Sequence, residues 1–190
     1  DDPFFGLMRR RASLYNSLQL IPITVFRNPV VNRWGGLVVR SPAWMAIDAE
    51  AWVTQRSNVE HWRGWDLTLV AQPRAMAFDV EFAPDVDRPS EPFSGTVSCV
   101  DATELLQAGS GVFPRRPNDL ADFAEPGVRR CVWTPPGPGS VTVTARVTYT
   151  VTFQAEFNGQ VAVVAEPDYE WASASTTFRV GELRAVNVND

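Results

Sequence analysis

The chain has no lysine: all 17 of its basic residues are arginine. Biased codon usage accounts for this as readily as selection does, but the chemical consequence is the same. Schiff-base catalysis, isopeptide cross-links and sortase-type polymerisation through lysine are excluded. Histidine is nearly absent as well, with His61 the only imidazole. Ser-His-Asp chemistry would have to run through that one residue, and no G-x-S-x-G elbow accompanies it. With one His and two Cys there are too few ligands for a structural zinc site. No apolar run reaches the roughly 18 residues that cross a bilayer. The net charge of −5 leaves no electrostatic footprint for nucleic acid. Arg9, Arg10 and Arg11 form the one basic run, and three charges are too few to dominate.

What is present reads as β-structure. Fifteen prolines and 12 glycines punctuate 190 residues, and 45% of the chain is apolar. That is ample for a core and unlike a helical protein. The clearest element is "SVTVTARVTYTVTF", residues 140–153. Its apolar residues Val141, Val143, Ala145, Val147, Tyr149, Val151 and Phe153 alternate with threonines and Arg146. Period-2 alternation predicts a strand with one face in the core.

Other extended pieces are "ITVF", "GLVV", "AWMAID", "WDLTLVA", "AMAFDVEF" after a turn-like "QPR", "SGTVSCV", "VRRCVWT" and "QVAVVAE" after an Asn158-Gly159 turn. Near the end, Ala172, Ala174, Thr176, Phe178 and Val180 are expected on one face, with a re-phasing bulge at Gly181. "DATELLQA" is a possible short helix. Eight to ten short strands with frequent turns predict an all-β fold, an antiparallel β-sandwich of immunoglobulin type.

Two regions are expected. Residues 36–190 form the sandwich; residues 1–35 form an N-terminal extension, either packed on its own domain or reaching another chain. Leu7, Leu14, Leu18 and Ile21 have loose helical spacing that Pro22 would stop. With Phe4, Phe5, Met8 and Tyr15 they make an apolar arm that needs a seat. The inner faces of the sandwich look complete without it, which favours a neighbouring copy as the receptor. The chain begins at Asp1 without Met, read as a fragment or as a chain whose leader has been removed.

The candidate sites are few. Cys99 and Cys131 form an even pair in a Thr-rich β chain, which points to an oxidising compartment and one disulfide. Two buried free thiols are the other reading. Asp79, Glu81, Asp85, Asp87 and Glu91 could offer oxygens to Ca²⁺, though with no EF-hand spacing; a solvated acidic loop is the plainer reading. Trp52, Trp62 and Trp65, beside Glu60 and Arg63, are candidate ligand-facing aromatics for a glycan, against ordinary packing.

Taken in order, "GLVVRSPAWMAIDAEAW", "WDLTLVAQPRAMAFDVEF", a Cys, "RRCVWT", "GSVTVTARVTYTVTF" and the closing "VGELRAVN" resemble a group of secreted PKD-like, immunoglobulin-fold proteins of high-GC Gram-positive bacteria. The resemblance spans residues 36–187, and its most specific part is Val180–Asn187. It implies a sandwich, export and a Cys99–Cys131 disulfide, and it carries no catalytic residues. The group's W-D-F-G-D-G turn is replaced here by Phe78-Asp79-Val80-Glu81-Phe82-Ala83-Pro84, without its glycines. The expectation is a secreted, non-enzymatic structural or adhesive surface protein without a cofactor. Such a protein would self-associate, as a filament or pilus-like subunit, or bind another surface protein. A monomeric extracellular module for carbohydrate or protein is the alternative.

Overall fold

The computed structural model describes residues 3–28, 36–47, 51–87, 90–101 and 132–182. Two strands dominate it: β6 (Trp65–Pro84) and β9 (Gly139–Phe157), of 20 and 19 residues. They pair antiparallel along their whole length, from Asp66 opposite Glu156 to Pro84 opposite Gly139.

Short strands flank this spine on both sides. Along β6 run β4 (Gln55–Arg56), β5 (Glu60–Trp62) and β7 (Phe93–Asp101). Along β9 run β10 (Gln160–Ala165), β11 (Tyr169–Ala172) and β12 (Thr176–Gly181). β2 (Leu37–Val38) joins β12 in parallel. The result is one curled nine-stranded sheet, mixed rather than wholly antiparallel as expected. A three-stranded sheet of β1 (Val25–Asn28), β3 (Ala43–Ile47) and β8 (Val132–Trp133) completes an all-β fold.

The alternation read from residues 141–153 holds as far as Val151; Phe153 is half-buried against the core, like its neighbours. Val141, Val143, Ala145, Val147, Tyr149 and Val151 are buried, and the threonines between them are half-buried. Each such valine contributes roughly 1.5–3 kcal/mol.

"QPR" is not a turn. Pro73 pairs with Tyr149 and Ala75 with Thr148, so Arg74 is one extra residue on β6. This bulge shifts the buried set from Leu67, Leu69 and Ala71 to Met76, Phe78, Val80 and Phe82. Proline is tolerated there because the flanking partner changes at that point: β4 pairs up to Ala71 and β7 begins at Ala75. Arg74 reaches Asp168 at 2.9 Å.

The expected single face from Ala172 to Val180 is also interrupted. Ala172 pairs with Arg146 but Thr176 pairs with Val143, so the phase slips across residues 173–175; the stretch that a bulge at Gly181 would re-phase lies outside the described residues. Ser173 Oγ there accepts the Ala145 N–H at 2.9 Å, standing in for a ladder bond. Tyr169 and Trp171, stacked at 6.4 Å, lie opposite the core residues Tyr149 and Val147.

Two hairpins close with two-residue turns whose residues all have positive φ: Arg63-Gly64 between β5 and β6, and Asn158-Gly159 between β9 and β10. That backbone twist matches the strands and favours Asn and Gly. The second was expected and the first was not.

The extension does not stand apart from the domain. α1 (Pro3–Ser17) ends before Pro22, and Leu14, Ile23 and Val25 belong to the same core cluster as the spine. A core that looked complete without the extension in fact includes its Leu14, Ile23 and Val25. Trp133 links the two sheets, lying 5.7 Å from Phe82 and 6.0 Å from Phe93 between ring centres. "DATELLQA" and Cys131 lie outside the described residues.

Candidate functional site

α1 has little intrinsic support. Its interior holds Gly6, its first turn no acid and its last turn no base. A helix of this length depends on tertiary contacts, and the domain supplies them from both flanks of the spine. On the β5 side, Glu60 takes Arg10 at 2.9 Å and the Ser13 hydroxyl at 2.7 Å. On the β10–β11 side, Glu166 takes Arg11 and, at 3.0 Å, the Tyr15 hydroxyl. The Ser13 hydroxyl and the Arg10 guanidinium hold the Glu60 carboxyl below its usual range. Burial, and then the bond to Glu166, push the Tyr15 phenol up. Glu166 is the more consequential clamp, because its side chain is only 4% exposed.

Below the helix, Ser17 Oγ accepts the Asn58 N–H at 3.2 Å, and the Ile21 N–H donates to Gln55 Oε1 at 2.9 Å. Gln55 continues inward to Tyr149, whose hydroxyl donates to the Ala51 carbonyl at 3.0 Å. Tyr149 is fully buried, and burial pushes its phenol up to about 12. These groups join the extension, the 51–57 segment and β9 through hydrogen bonds.

The expected assembly arm is therefore seated on its own domain. Leu14 is fully buried; Leu7, Tyr15 and Leu18 pack against the core; Ile21 is half-buried; Met8 is exposed. Phe4 and Phe5 fall within the helix, their side chains outside the described ones. Two arginines of the basic run are spent on Glu60 and Glu166.

Trp62 and Trp65 face each other across the Arg63-Gly64 hairpin. They do not form an open platform with Trp52; all three pack against the core. The Arg63 guanidinium lies 5.1 Å from the Trp62 ring centre, and Phe157 lies 5.0 Å from Trp65. On the opposite face, exposed His61 contacts Asp66 at 2.5 Å.

The acidic run is dispersed. Asp79 meets Arg146 at 2.9 Å, and Arg146 also reaches Glu170 at 3.2 Å. Thr96 donates to Asp79 at 2.8 Å, giving a polar row across β7, β6, β9 and β11. Asp85 takes Arg179 through both oxygens, at 2.8 and 2.6 Å. That pair lines an open cleft of about 560 Å³ with Asp87, Pro138 and Gly181. Among the described residues, no three His, Cys, Asp or Glu side chains gather closely enough to hold a metal ion. Cys99 is buried on β7, and no described cysteine is free.

Sequence reasoning missed Glu166, Gln55 and the role of the Tyr149 hydroxyl, and it set Glu60 beside the tryptophans, where the structure gives it Arg10 and Ser13 as partners. One signal was available: Tyr149 stands in the apolar phase of the strand, where its hydroxyl must find a partner.

Among the described residues no helix is long and apolar enough to cross a membrane. No family model, no curated protein and no solved structure matches the chain.

Proposed function

We propose that this chain is a non-enzymatic structural or adhesive domain of an exported surface protein, built as an immunoglobulin/PKD-like sandwich, and that it works by self-association. The observation that carries the reading is the β6–β9 spine. Its inward stripe is core, and its outward stripe is laced across the spine by Arg146–Asp79 and to the β12 side by Thr142–Thr177 and Thr144–Ser175 contacts. Such a spine bears load and holds strand edges at fixed spacing. The buried polar groups Tyr149, Gln55 and Ser57 join segments of the fold. With α1 seated on its own chain, self-association runs through strand edges rather than through the arm.

Electron microscopy and sedimentation of the purified chain over a concentration series test this. Oligomers or filaments that grow with concentration support the reading. A monomer at every concentration overturns it and favours the alternative, a monomeric module for carbohydrate or protein. A hydrolytic activity abolished by His61→Ala would overturn the non-enzymatic reading.

A further inference from the structure

β10 differs from every other strand beside the spine. β4 carries Arg56, β5 carries Glu60 and His61, β7 carries Asp101, β11 carries Glu170 and β12 carries Arg179. A charge on a flanking strand is the usual protection against pairing with another chain. β10, Gln160-Val161-Ala162-Val163-Val164-Ala165, carries none, and all six residues are exposed. Val161, Val163 and Val164 are 56%, 57% and 56% exposed. Among the described residues β10 pairs only with β9, so its far edge is open.

The register says what that edge offers. Gln160 pairs with Phe157 across the two-residue turn, the position of a hydrogen-bonded pair. Alternation then directs the N–H and C=O groups of Gln160, Ala162 and Val164 to β9. Those of Val161, Val163 and Ala165 point to the open edge.

We propose that this edge is an interface with a second copy of the chain, the two β10 strands pairing antiparallel about a two-fold axis through Val163. The inference rests on the self-association reading and names its site. Antiparallel strands are self-complementary under a two-fold, so one edge serves both partners. The axis at Val163 sets Val163 against Val163 and Val161 against Ala165, so all the outward backbone groups find partners. Ala162 and Val164 meet on the other face. No charge opposes this register. The first charged side chain beyond β10 is Glu166, turned inward to Arg11 and Tyr15, and its position falls opposite Gln160. The seam is short compared with the roughly 800 Å² per partner of a standard interface, so the association is weak and concentration-dependent.

Cysteine cross-linking tests the register. In a hydrogen-bonded antiparallel pair the Cα atoms lie about 5.5 Å apart, within disulfide range. Val163→Cys, oxidised with diamide, is expected to give a covalent dimer on non-reducing gels. Val161→Cys, whose copies are held several residues apart, is expected to give little. Val163→Lys, which sets two ammonium groups face to face, is expected to weaken association at least tenfold by sedimentation while leaving the thermal melt unchanged. Oligomers that persist in Val163→Lys, or equal cross-linking at both positions, overturn this interface and leave the self-association reading standing. A wild-type chain that stays monomeric, with no cross-link at Val163→Cys, overturns both.

Discussion

The Tyr149 hydroxyl donates to the carbonyl of Ala51 at 3.0 Å, joining residues 98 apart in the chain. It also accepts from Gln55 Nε2 at 3.4 Å, in a site closed to water. This is one of the few places where the described core holds polar atoms, so every partner there matters.

Tyr149→Phe removes the donor and leaves a buried carbonyl and amide each short of a partner. The expected cost is about 1–2 kcal/mol, measured by urea unfolding at neutral pH. The wild type carries an alkaline signature as well. A phenol pushed up to about 12 when folded, against about 10 when unfolded, contributes stability that is complete below the unfolded value. That stability is lost as pH rises through the folded value. Stability is expected to fall by up to about 2 kcal/mol between those limits, and Tyr149→Phe should flatten that limb.

Arg11→Ala leaves the nearly buried Glu166 carboxylate with only the Tyr15 hydroxyl of its two α1 partners. The expected loss is about 2 kcal/mol. In the Arg11→Ala/Glu166→Gln double variant part of that loss should return, since a neutral amide is cheaper to bury. A double-mutant cycle on unfolding free energies reads the coupling, and additive losses would deny the clamp.

A Cβ at Gly139 would sit 2.2 Å from the Ala83 carbonyl oxygen and 2.9 Å from the Pro84 Cα, both backbone atoms that cannot step aside. Gly139→Ala is therefore expected to destabilise the fold by about 2 kcal/mol or more by prying β6 from β9. Gly181→Ala meets nothing within 4 Å and should be close to neutral. Thermal melts of the two variants make the comparison.

Cys99 and Cys131 are expected to be bonded to each other, since Cys99 is buried on β7 and no described cysteine is free. Peptide mapping of unreduced protein should find the linked peptide. Two alkylatable thiols in fresh protein would refute the pair and weaken the case for export.

Local periodicity made much of the sheet legible. The strand around Val141–Val151 needed only alternation, because a period of 2 leaves one face dry whatever lies across from it. The Asn158-Gly159 turn followed from the backbone freedom of those two residues. Even the two halves of β6 were visible, with apolar residues odd-numbered through Leu67 and Leu69 and even-numbered from Met76 to Phe82. Whether a parity change marks a turn or a bulge depends on what lies opposite. Only β9, running past both halves, made Arg74 an extra residue in one strand.

The fate of the N-terminal residues was likewise not local. An apolar helix face says that something must cover it, not which molecule does. Glu60 and Glu166, 106 residues apart, are brought to the two flanks of the spine by pairing with β6 and by the link from β10 to β11. There they receive Arg10 and Arg11. The sequence determined that one stripe of β9 is core and that Leu7, Leu14, Leu18 and Ile21 have a loose helical spacing. Tertiary structure decided that the helix closes on its own sheet and that Tyr149's hydroxyl is satisfied by Ala51. It also decided that, among the described residues, β10 pairs only with β9, because strand pairing and burial are set by distant parts of the chain.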